Sequence, residues 1–159
     1  MRVGLGYDIH PLGSGRKLIL GGVVIPHTQG LVGHSDADAL VHAICDALLG
    51  AMGEGDLGKH YPSSDQRFKN ISSLVLLEEL AGMLRKKAFR LVNLDTVIIA
   101  QVPRLGPFLS DMADRLAKTL GVERSIVNVK VKSGEGLDAI GREEAVAAQA
   151  ICLIEAVKK

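Results

Sequence analysis

Acidic and imidazole side chains in two short segments have the types and the spacing of a metal site. Asp8 and His10 close the segment YDIH, and in an extended chain residues two apart project to the same face. His42 lies in an apolar predicted helix, with Asp38 and Asp46 one turn to either side on the same stripe. Two imidazoles and one carboxylate, those of His10, His42 and Asp8, form a ligand set typical of zinc with a fourth position open.

The residues alone leave a second interpretation of His42 open. Asp38 could simply cap the helix, and His42 could be a core histidine hydrogen-bonded to Asp46, because a polar group in an apolar helix needs a partner. If His42 instead binds a metal together with Asp8 and His10, Asp46 becomes the candidate for orienting its imidazole ring.

The elements that must position these residues are those predicted for one α+β domain, 1–159. Ser35 is the predicted N-cap of the strongest helix, and Asp38 follows three residues later, close to the capping-box pattern. The C-terminal segment after Arg142 favours a helix on local propensity alone, without a clean period of 3.6 residues. The predicted strands are 2–9, two runs within 17–26 around a glycine pair, 89–101 and 126–132, and the predicted helices are 35–52, 72–87 and 107–120.

The composition excludes several classes of function. Hydrophobic residues are 47% and charged residues 23% of a 159-residue chain, as expected of a globular protein. A net charge of +1 and 3% aromatic residues argue against nucleic acid as a partner. No run approaches the ~18 apolar residues of a membrane span, and the segment MRVGLGYDIH lacks the apolar core of a signal peptide, so we expect no membrane association and a cytoplasmic location. Cys45 and Cys152 are isolated and are predicted to be buried thiols.

Two further segments have the composition of phosphate-binding loops. GEGDLG, 53–58, matches GxGxxG, but it follows a predicted helix and contains Glu54 and Asp56, which would repel a pyrophosphate. We therefore reject a dinucleotide site there. KSGEGLDAIGRE, 132–143, offers exposed backbone N–H groups with Lys132 and Arg142, and can hold phosphate oxygens or be an ordinary solvated loop.

The order of several motifs resembles one family, that of 2-C-methyl-D-erythritol 2,4-cyclodiphosphate synthases. The resemblance covers about residues 1–157, and its most specific block is S-D-x-D-x-x-x-H-A-x-x-D-A-L. The motifs are, in order, GYDIH, HSDADALVHAICDALLG, GDLGKHYP, IIAQVPRL and VNVKVKSGEGLDAIGR.

The resemblance implies a fold, an assembly and a reaction. The subunit would be a ferredoxin-like α+β domain with a mixed sheet and helices on one face, in a homotrimer with active sites between neighbouring chains. The segment after Arg142 would be a strand in the trimer core, against its local propensity. The reaction would convert 4-diphosphocytidyl-2-C-methyl-D-erythritol 2-phosphate to the 2,4-cyclodiphosphate and CMP, in non-mevalonate isoprenoid biosynthesis. An isoprenoid diphosphate would be a further ligand for the central cavity of the trimer.

The resemblance also implies roles for individual residues. Asp8, His10 and His42 would hold zinc, and Glu135 would contact a second divalent ion, Mg²⁺ or Mn²⁺, that bridges the diphosphate. His34 and Ser133 would stabilise the transition state. The remaining substrate-binding positions are Ser35; Asp56, Leu57 and Gly58 at the ribose; Tyr61, Pro62, Ser63, Ser64 and Asp65 over the methylerythritol phosphate; Ala100, Gln101, Val102, Pro103, Arg104, Leu105 and Gly106 around the cytosine; and Lys132, Gly134, Ala139 and Arg142 near the phosphates.

The chain departs from the family pattern at several of these positions. Ser133 stands where threonine is common, Gly106 stands where a bulkier residue is common, and Asp138 and Ala139 replace the usual glycine and phenylalanine. None of these changes affects a metal ligand.

Two other functions compete with the synthase: a zinc-dependent phosphohydrolase, and a non-catalytic trimer with structural zinc, although structural zinc usually has four protein ligands.

Overall fold

The computed structural model describes residues 1–157, and strands and helices account for most of them. The hairpin predicted around the glycine pair is confirmed, and so are the helices predicted at 72–87 and 107–120, to within two residues. The first strand is longer than its predicted range, 2–9. The strands are β1 (Arg2–Ser14), β2 (Leu18–Leu20), β3 (Val23–Ile25), β4 (Gln29–Leu31), β5 (Phe89–Ile99), β6 (Val127–Lys132) and β7 (Ala145–Ala156), and the helices are α1 (Ala39–Met52), α2 (Leu57–His60), α3 (Ser73–Lys86), α4 (Leu109–Leu120) and α5 (Asp138–Gly141).

A mixed five-stranded sheet in the order β4-β1-β7-β5-β6 organises the fold. Strands β5 and β6 are parallel, while β7 is antiparallel to both β1 and β5. The C-terminal segment is therefore a strand, as the family resemblance implies, and the helix favoured by local propensity is wrong. Four consecutive buried residues, 145–148, explain the discrepancy, because a strand covered on both faces has no alternating pattern.

Helix α1 packs on β1 at two glycines. A Cβ atom on Gly6 would lie 1.9 Å from the carbonyl oxygen of Ala43, and one on Gly4 would lie 1.8 Å from that of Ala47. Only glycine allows the strand backbone and the helix backbone to come this close. This close approach places His42, which directly precedes Ala43 in α1, beside the strand.

The N-terminus of α1 differs from the prediction, because the helix begins at Ala39 and its N-cap is Asp38, not Ser35. The segment between them is not helical, since Ala37 has a φ of 58°. The prediction of a helix over 35–52 is therefore wrong in its first turn. Ser35 instead faces the ring of His42.

The carboxylate of Asp38 ties α1 to the β2–β3 hairpin. It accepts hydrogen bonds from the backbone N–H groups of Val41 at 3.1 Å, Gly21 at 2.9 Å and Gly22 at 2.7 Å. The side chain is fully buried, and this burial raises the pKa of Asp38 although the three N–H groups oppose the shift. Asp38 is thus a structural residue rather than a member of the metal cluster.

The sheet face turned away from α1 is exposed and apolar along β1. Val3 is 62% exposed, Leu5 69%, Tyr7 50% and Ile9 43%. On β7, Ile151 is paired in register with Leu5 and is 45% exposed. Contiguous apolar patches of this kind mark interaction surfaces. Within residues 1–157, no helix is long and apolar enough to cross a membrane.

Candidate metal centre and substrate cavities

The three predicted metal ligands meet beside the middle of β1. Asp8 and His10 project from one face of the strand, and His42 reaches them from the first half of α1. The Asp8 carboxylate oxygen lies 2.9 Å from His10 Nε2 and 2.9 Å from His42 Nδ1, and these two nitrogens lie 3.2 Å apart. One ligand atom from each residue lies within 4.8 Å of the others. The prediction that these residues form one cluster is confirmed.

The outer nitrogens of both imidazoles also fit a metal site. His10 Nδ1 donates to the carbonyl oxygen of Val32 at 3.0 Å, so Nε2 is the nitrogen that faces the cluster and can give its lone pair to a metal ion. His42 turns Nδ1 to the cluster and Nε2 to the hydroxyl groups of Ser35 and Ser73. Metal-binding histidines usually have such a partner on the second nitrogen. The donor set and its surroundings therefore suit zinc.

Within the cluster, Asp8 and the two imidazoles shift each other's protonation. Burial alone would raise the pKa of Asp8, but hydrogen bonds from His10 and His42 bring it well below its usual range. Burial opposes protonation of His10, yet its hydrogen bond to Asp8 raises the pKa of the imidazole above 6.5. The site therefore presents an ionised carboxylate, as a cation requires.

The role predicted for Asp46 is wrong. Its carboxylate accepts a hydrogen bond from the backbone N–H of Leu57 at 2.7 Å, while the described hydrogen-bond partners of His42 are other residues. Burial raises the pKa of Asp46, and the Leu57 N–H opposes the shift. Asp46 thus fixes the start of α2 instead of orienting the imidazole. The glycine-rich segment 53–58 follows helix α1, as the sequence predicts.

A cavity of about 390 Å³ opens beside the metal cluster. His34 lies on its wall, with Nε2 donating to the carbonyl oxygen of Asp65 at 3.0 Å. Tyr61 donates its hydroxyl to Glu79 at 2.9 Å, and burial together with this carboxylate raises the pKa of the phenol. The predicted site residues on this wall are Asp8, His10, His34, Ser35, His42, Leu57, Gly58, Tyr61 and Ser63.

A second cavity, of about 510 Å³, lies where the parallel strands β5 and β6 end. The peptide bond between Val102 and Pro103 in its turn is cis. The lining matches the group predicted around the cytosine and phosphates, since it includes Ala100, Gln101, Pro103, Arg104, Leu105, Gly106, Lys132 and Ser133. Within this chain the two predicted halves of the site thus line two separate cavities.

Other predicted residues line neither of these two cavities in the described part of the chain. Asp56 caps α2 by accepting from the backbone N–H of Lys59 at 2.9 Å, and Arg142 forms an exposed ion pair with Glu144 at 3.1 Å. Glu135 accepts a hydrogen bond from the hydroxyl of Ser133. The other members of this group are Pro62, Ser64, Asp65, Val102, Gly134 and Ala139.

Sequence reasoning missed two residues that line the metal-side cavity and one buried residue behind His42. Phe68 and Leu76 supply part of its apolar wall. Ser73 is fully buried, and its hydroxyl lies 2.9 Å from His42 Nε2. The only signal for Ser73 is its position at the start of a predicted helix, and this signal predicts a cap rather than a contact with a distant histidine.

The fold and the site define a single-domain α+β protein with a candidate three-ligand metal centre. The YgbB family matches residues 1–155. The chain is 53% identical over 155 residues to the 2-C-methyl-D-erythritol 2,4-cyclodiphosphate synthase of Syntrophomonas wolfei, covering 98% of this chain and 99% of that protein. It is 55% identical over 154 residues to the synthase of the same name from Desulfosudis oleivorans, covering 97% and 92%.

A solved structure confirms the same relationship. The Plasmodium falciparum IspF in complex with CDP superposes with a TM-score of 0.87 at 31% identity, covering 99% of this chain and 97% of that one. The chain therefore belongs to the YgbB family, the family of 2-C-methyl-D-erythritol 2,4-cyclodiphosphate synthases. The resemblance drawn from the sequence motifs is confirmed.

Proposed function

We propose that this chain converts 4-diphosphocytidyl-2-C-methyl-D-erythritol 2-phosphate to 2-C-methyl-D-erythritol 2,4-cyclodiphosphate and CMP, a step of non-mevalonate isoprenoid biosynthesis. The observation that supports it most is the meeting of Asp8, His10 and His42 beside a cavity, in a chain 53% identical to a synthase of that name. CDP, which is bound by a similar solved protein, shares the cytidine and the diphosphate of this substrate.

The proposed reaction takes place within the substrate. An oxygen of the 2-phosphate attacks the β-phosphorus, a new P–O bond closes the ring, and the bond to the CMP oxygen breaks so that CMP leaves with that electron pair. Because the nucleophile is part of the substrate, the protein must hold the two phosphates together and exclude water. The apolar side chains of Leu57, Phe68 and Leu76 on the cavity wall suit the second task.

Asp8, His10 and His42 would hold Zn²⁺, and Glu135 would contact a second divalent ion, Mg²⁺ or Mn²⁺. When bound, such ions neutralise negative charge on the phosphate oxygens. The ionised carboxylate of Asp8 and Nε2 of His10 are placed to bind a cation, because the pKa of Asp8 is lowered and His10 uses its other nitrogen for the hydrogen bond to Val32.

His34 and Ser133 would stabilise charge that develops on the phosphates. The hydrogen bond from His34 Nε2 to the Asp65 carbonyl orients the ring, and a ring protonated at both nitrogens would donate its Nδ1–H to a phosphate oxygen. The hydroxyl of Ser133 now donates to Glu135, and would turn to a phosphate oxygen in the complex. Hydrogen bonds directed at charge that grows in the transition state are worth about 10²–10³-fold in rate.

The assembly we propose is a homotrimer of ferredoxin-like subunits with active sites between neighbours. Two observations support it. Val3, Leu5 and Tyr7 form an exposed apolar row on the sheet face that would meet the other subunits. In addition, the metal-side cavity and the cytosine-side cavity are separate in one chain, so a neighbour would supply the second half of each site. Residues 1–159 would act as one domain of this trimer.

The test is incubation of the purified, zinc-loaded protein with the cytidylyl substrate and Mg²⁺, followed by ³¹P NMR and measurement of CMP. We expect a cyclic diphosphate and CMP in equal amounts. An open-chain phosphate would instead establish hydrolysis, and no CMP release would exclude both activities. H42A is the matched inactive control, because it lacks one metal ligand while the cytosine-side cavity is unchanged.

A further inference from the structure

The buried nitrogen of His42 requires an acceptor when its other nitrogen binds a metal. His42 is 8% exposed, and its Nδ1 is the atom that faces Asp8 and His10. A metal takes the lone pair of Nδ1, so the ring hydrogen must reside on Nε2. A buried N–H without an acceptor is strongly unfavourable. The group that accepts this hydrogen therefore influences how well His42 binds the ion.

Two serine hydroxyls lie within hydrogen-bond distance of Nε2, and their other contacts distinguish them. Ser73 Oγ lies at 2.9 Å and donates its own hydrogen to the carboxylate of Asp36, so its lone pairs are free to accept. Ser35 Oγ lies at 3.0 Å and already accepts from the backbone N–H of Ala37 at 3.2 Å. Ser35 also lines the cavity, where its hydroxyl can reach a ligand.

Asp36 is held so that it can receive the Ser73 hydroxyl. Its second carboxylate oxygen accepts from the backbone N–H of Ser73 at 3.0 Å, and its own N–H donates to the carbonyl oxygen of Ile71 at 3.0 Å. Ser72, the N-cap of α3, makes no side-chain hydrogen bond to the helix. The carboxylate of Asp36 therefore caps α3 from a segment 37 residues away.

We propose that Asp36 and Ser73 are positioning residues for the metal ligand His42. In this relay, His42 Nε2–H donates to Ser73 Oγ, and the Ser73 hydroxyl donates to Asp36. The relay fixes which imidazole nitrogen faces the ion and prevents rotation of the ring. A carboxylate at the end of such a chain also makes the imidazole a stronger ligand. This inference rests on the metal site proposed above, but it concerns residues that touch neither metal nor substrate.

The test measures zinc affinity by competition with a chromophoric chelator. S73A removes the acceptor and should weaken zinc binding on the order of 10–100-fold. S72A is the matched control, because it makes the same chemical change at the adjacent, exposed serine and should leave the affinity unchanged. S35A separates the two hydroxyls, and should keep nearly full affinity because Ser73 is the acceptor. D36N should give an intermediate loss, since an amide oxygen is a weaker acceptor than a carboxylate.

The unfolding temperatures of the metal-free variants show whether any loss is a general loss of structure. An S73A protein that is folded without metal and binds zinc as tightly as S72A overturns the relay. Equal losses in S35A and S73A would also overturn it. If S73A does not fold, D36N decides, because a D36N protein that binds zinc as tightly as S72A overturns the inference and a weaker affinity supports it. Absence of zinc binding by the unaltered protein would instead refute the proposed metal site.

Discussion

Replacement of Asp38 by alanine should destabilise the protein more than any comparable change at an exposed aspartate. The carboxylate accepts hydrogen bonds from the backbone N–H groups of Val41, Gly21 and Gly22, and so joins the start of α1 to the β2–β3 hairpin. Alanine would leave the helix without its cap and the hairpin without its anchor. Water cannot easily replace these bonds, because Asp38 is fully buried.

The contacts set the size of the effect. The bonds from Gly21 and Val41 are buried, and a buried N–H without a partner costs about 1–3 kcal/mol, or about 2–6 kcal/mol for two. Removal of a buried carboxylate, whose pKa is raised by that burial, offsets part of this cost. A net loss of about 2–4 kcal/mol corresponds to a fall of about 4–16 °C in Tm for a domain of this size.

The assay is thermal unfolding of metal-free D38A, followed by circular dichroism at a fixed subunit concentration. D111A is the control, because Asp111 lies in the first turn of α4 but is exposed, and its loss should cost less than about 1 kcal/mol. D38N retains one amide oxygen and should lie between the two. A D38A protein as stable as D111A would refute the reasoning from buried N–H groups.

Four further predictions concern the metal, the chemistry, the assembly and pH. H42A should lose zinc and activity but keep its assembly, because the apolar core does not depend on the site. S133A should lower kcat by about 10²-fold at nearly unchanged KM, whereas S133T keeps the hydroxyl and should retain activity. L5D should dissociate the proposed homotrimer, as measured by sedimentation velocity, because it places a charge on the exposed apolar face. In the metal-free protein, D8N should lower the pKa of His10, as measured by NMR titration. Because folding raises that pKa above 6.5, the Asp8–His10 pair stabilises the protein below pH 6.5, and this stabilisation disappears as the pH rises through the pKa of His10 in the folded state. D8N should abolish this pH dependence of stability.

Each of these predictions has a result that contradicts it. Equal zinc content in H42A and the unaltered protein, by elemental analysis, would remove His42 from the ligand set. Unchanged kcat in S133A would leave that hydroxyl as a surface contact. An L5D protein of unaltered mass would place the interface elsewhere, and an unshifted His10 titration in D8N would mean that Asp8 does not control its protonation.

The metal cluster could be predicted because short-range geometry determines most of it. Asp8 and His10 share a strand face by simple alternation, and His42 was the one histidine in an apolar helix. The contacts that orient the imidazole could not be predicted in the same way. Ser73 reaches His42 across 31 residues of chain, and the partner of Asp46, the N–H of Leu57, becomes visible only once α2 is placed.

The errors at α1 and β7 have physical causes that local patterns do not reveal. Ser35 has the composition of an N-cap, but the left-handed backbone of Ala37 ends any helical path and leaves Asp38 as the cap. In β7 the run 145–148 is covered on both faces, so its alanines and valine show neither the period of a helix nor that of a half-exposed strand. The family motifs predicted β7 correctly as a strand, whereas local propensity favoured a helix.

Gly4 and Gly6 make the geometry of the metal site depend on how closely α1 packs on β1. A methyl group on Gly6 would collide with the Ala43 carbonyl oxygen and push α1 outward, and His42 would move with it. A lineage could therefore lose metal affinity through a mutation at a residue that touches no ligand. For protein engineering, position 6 offers a way to change the spacing of the ligands: a substitution there would alter which ion radius the site accepts, although all three donor residues are retained.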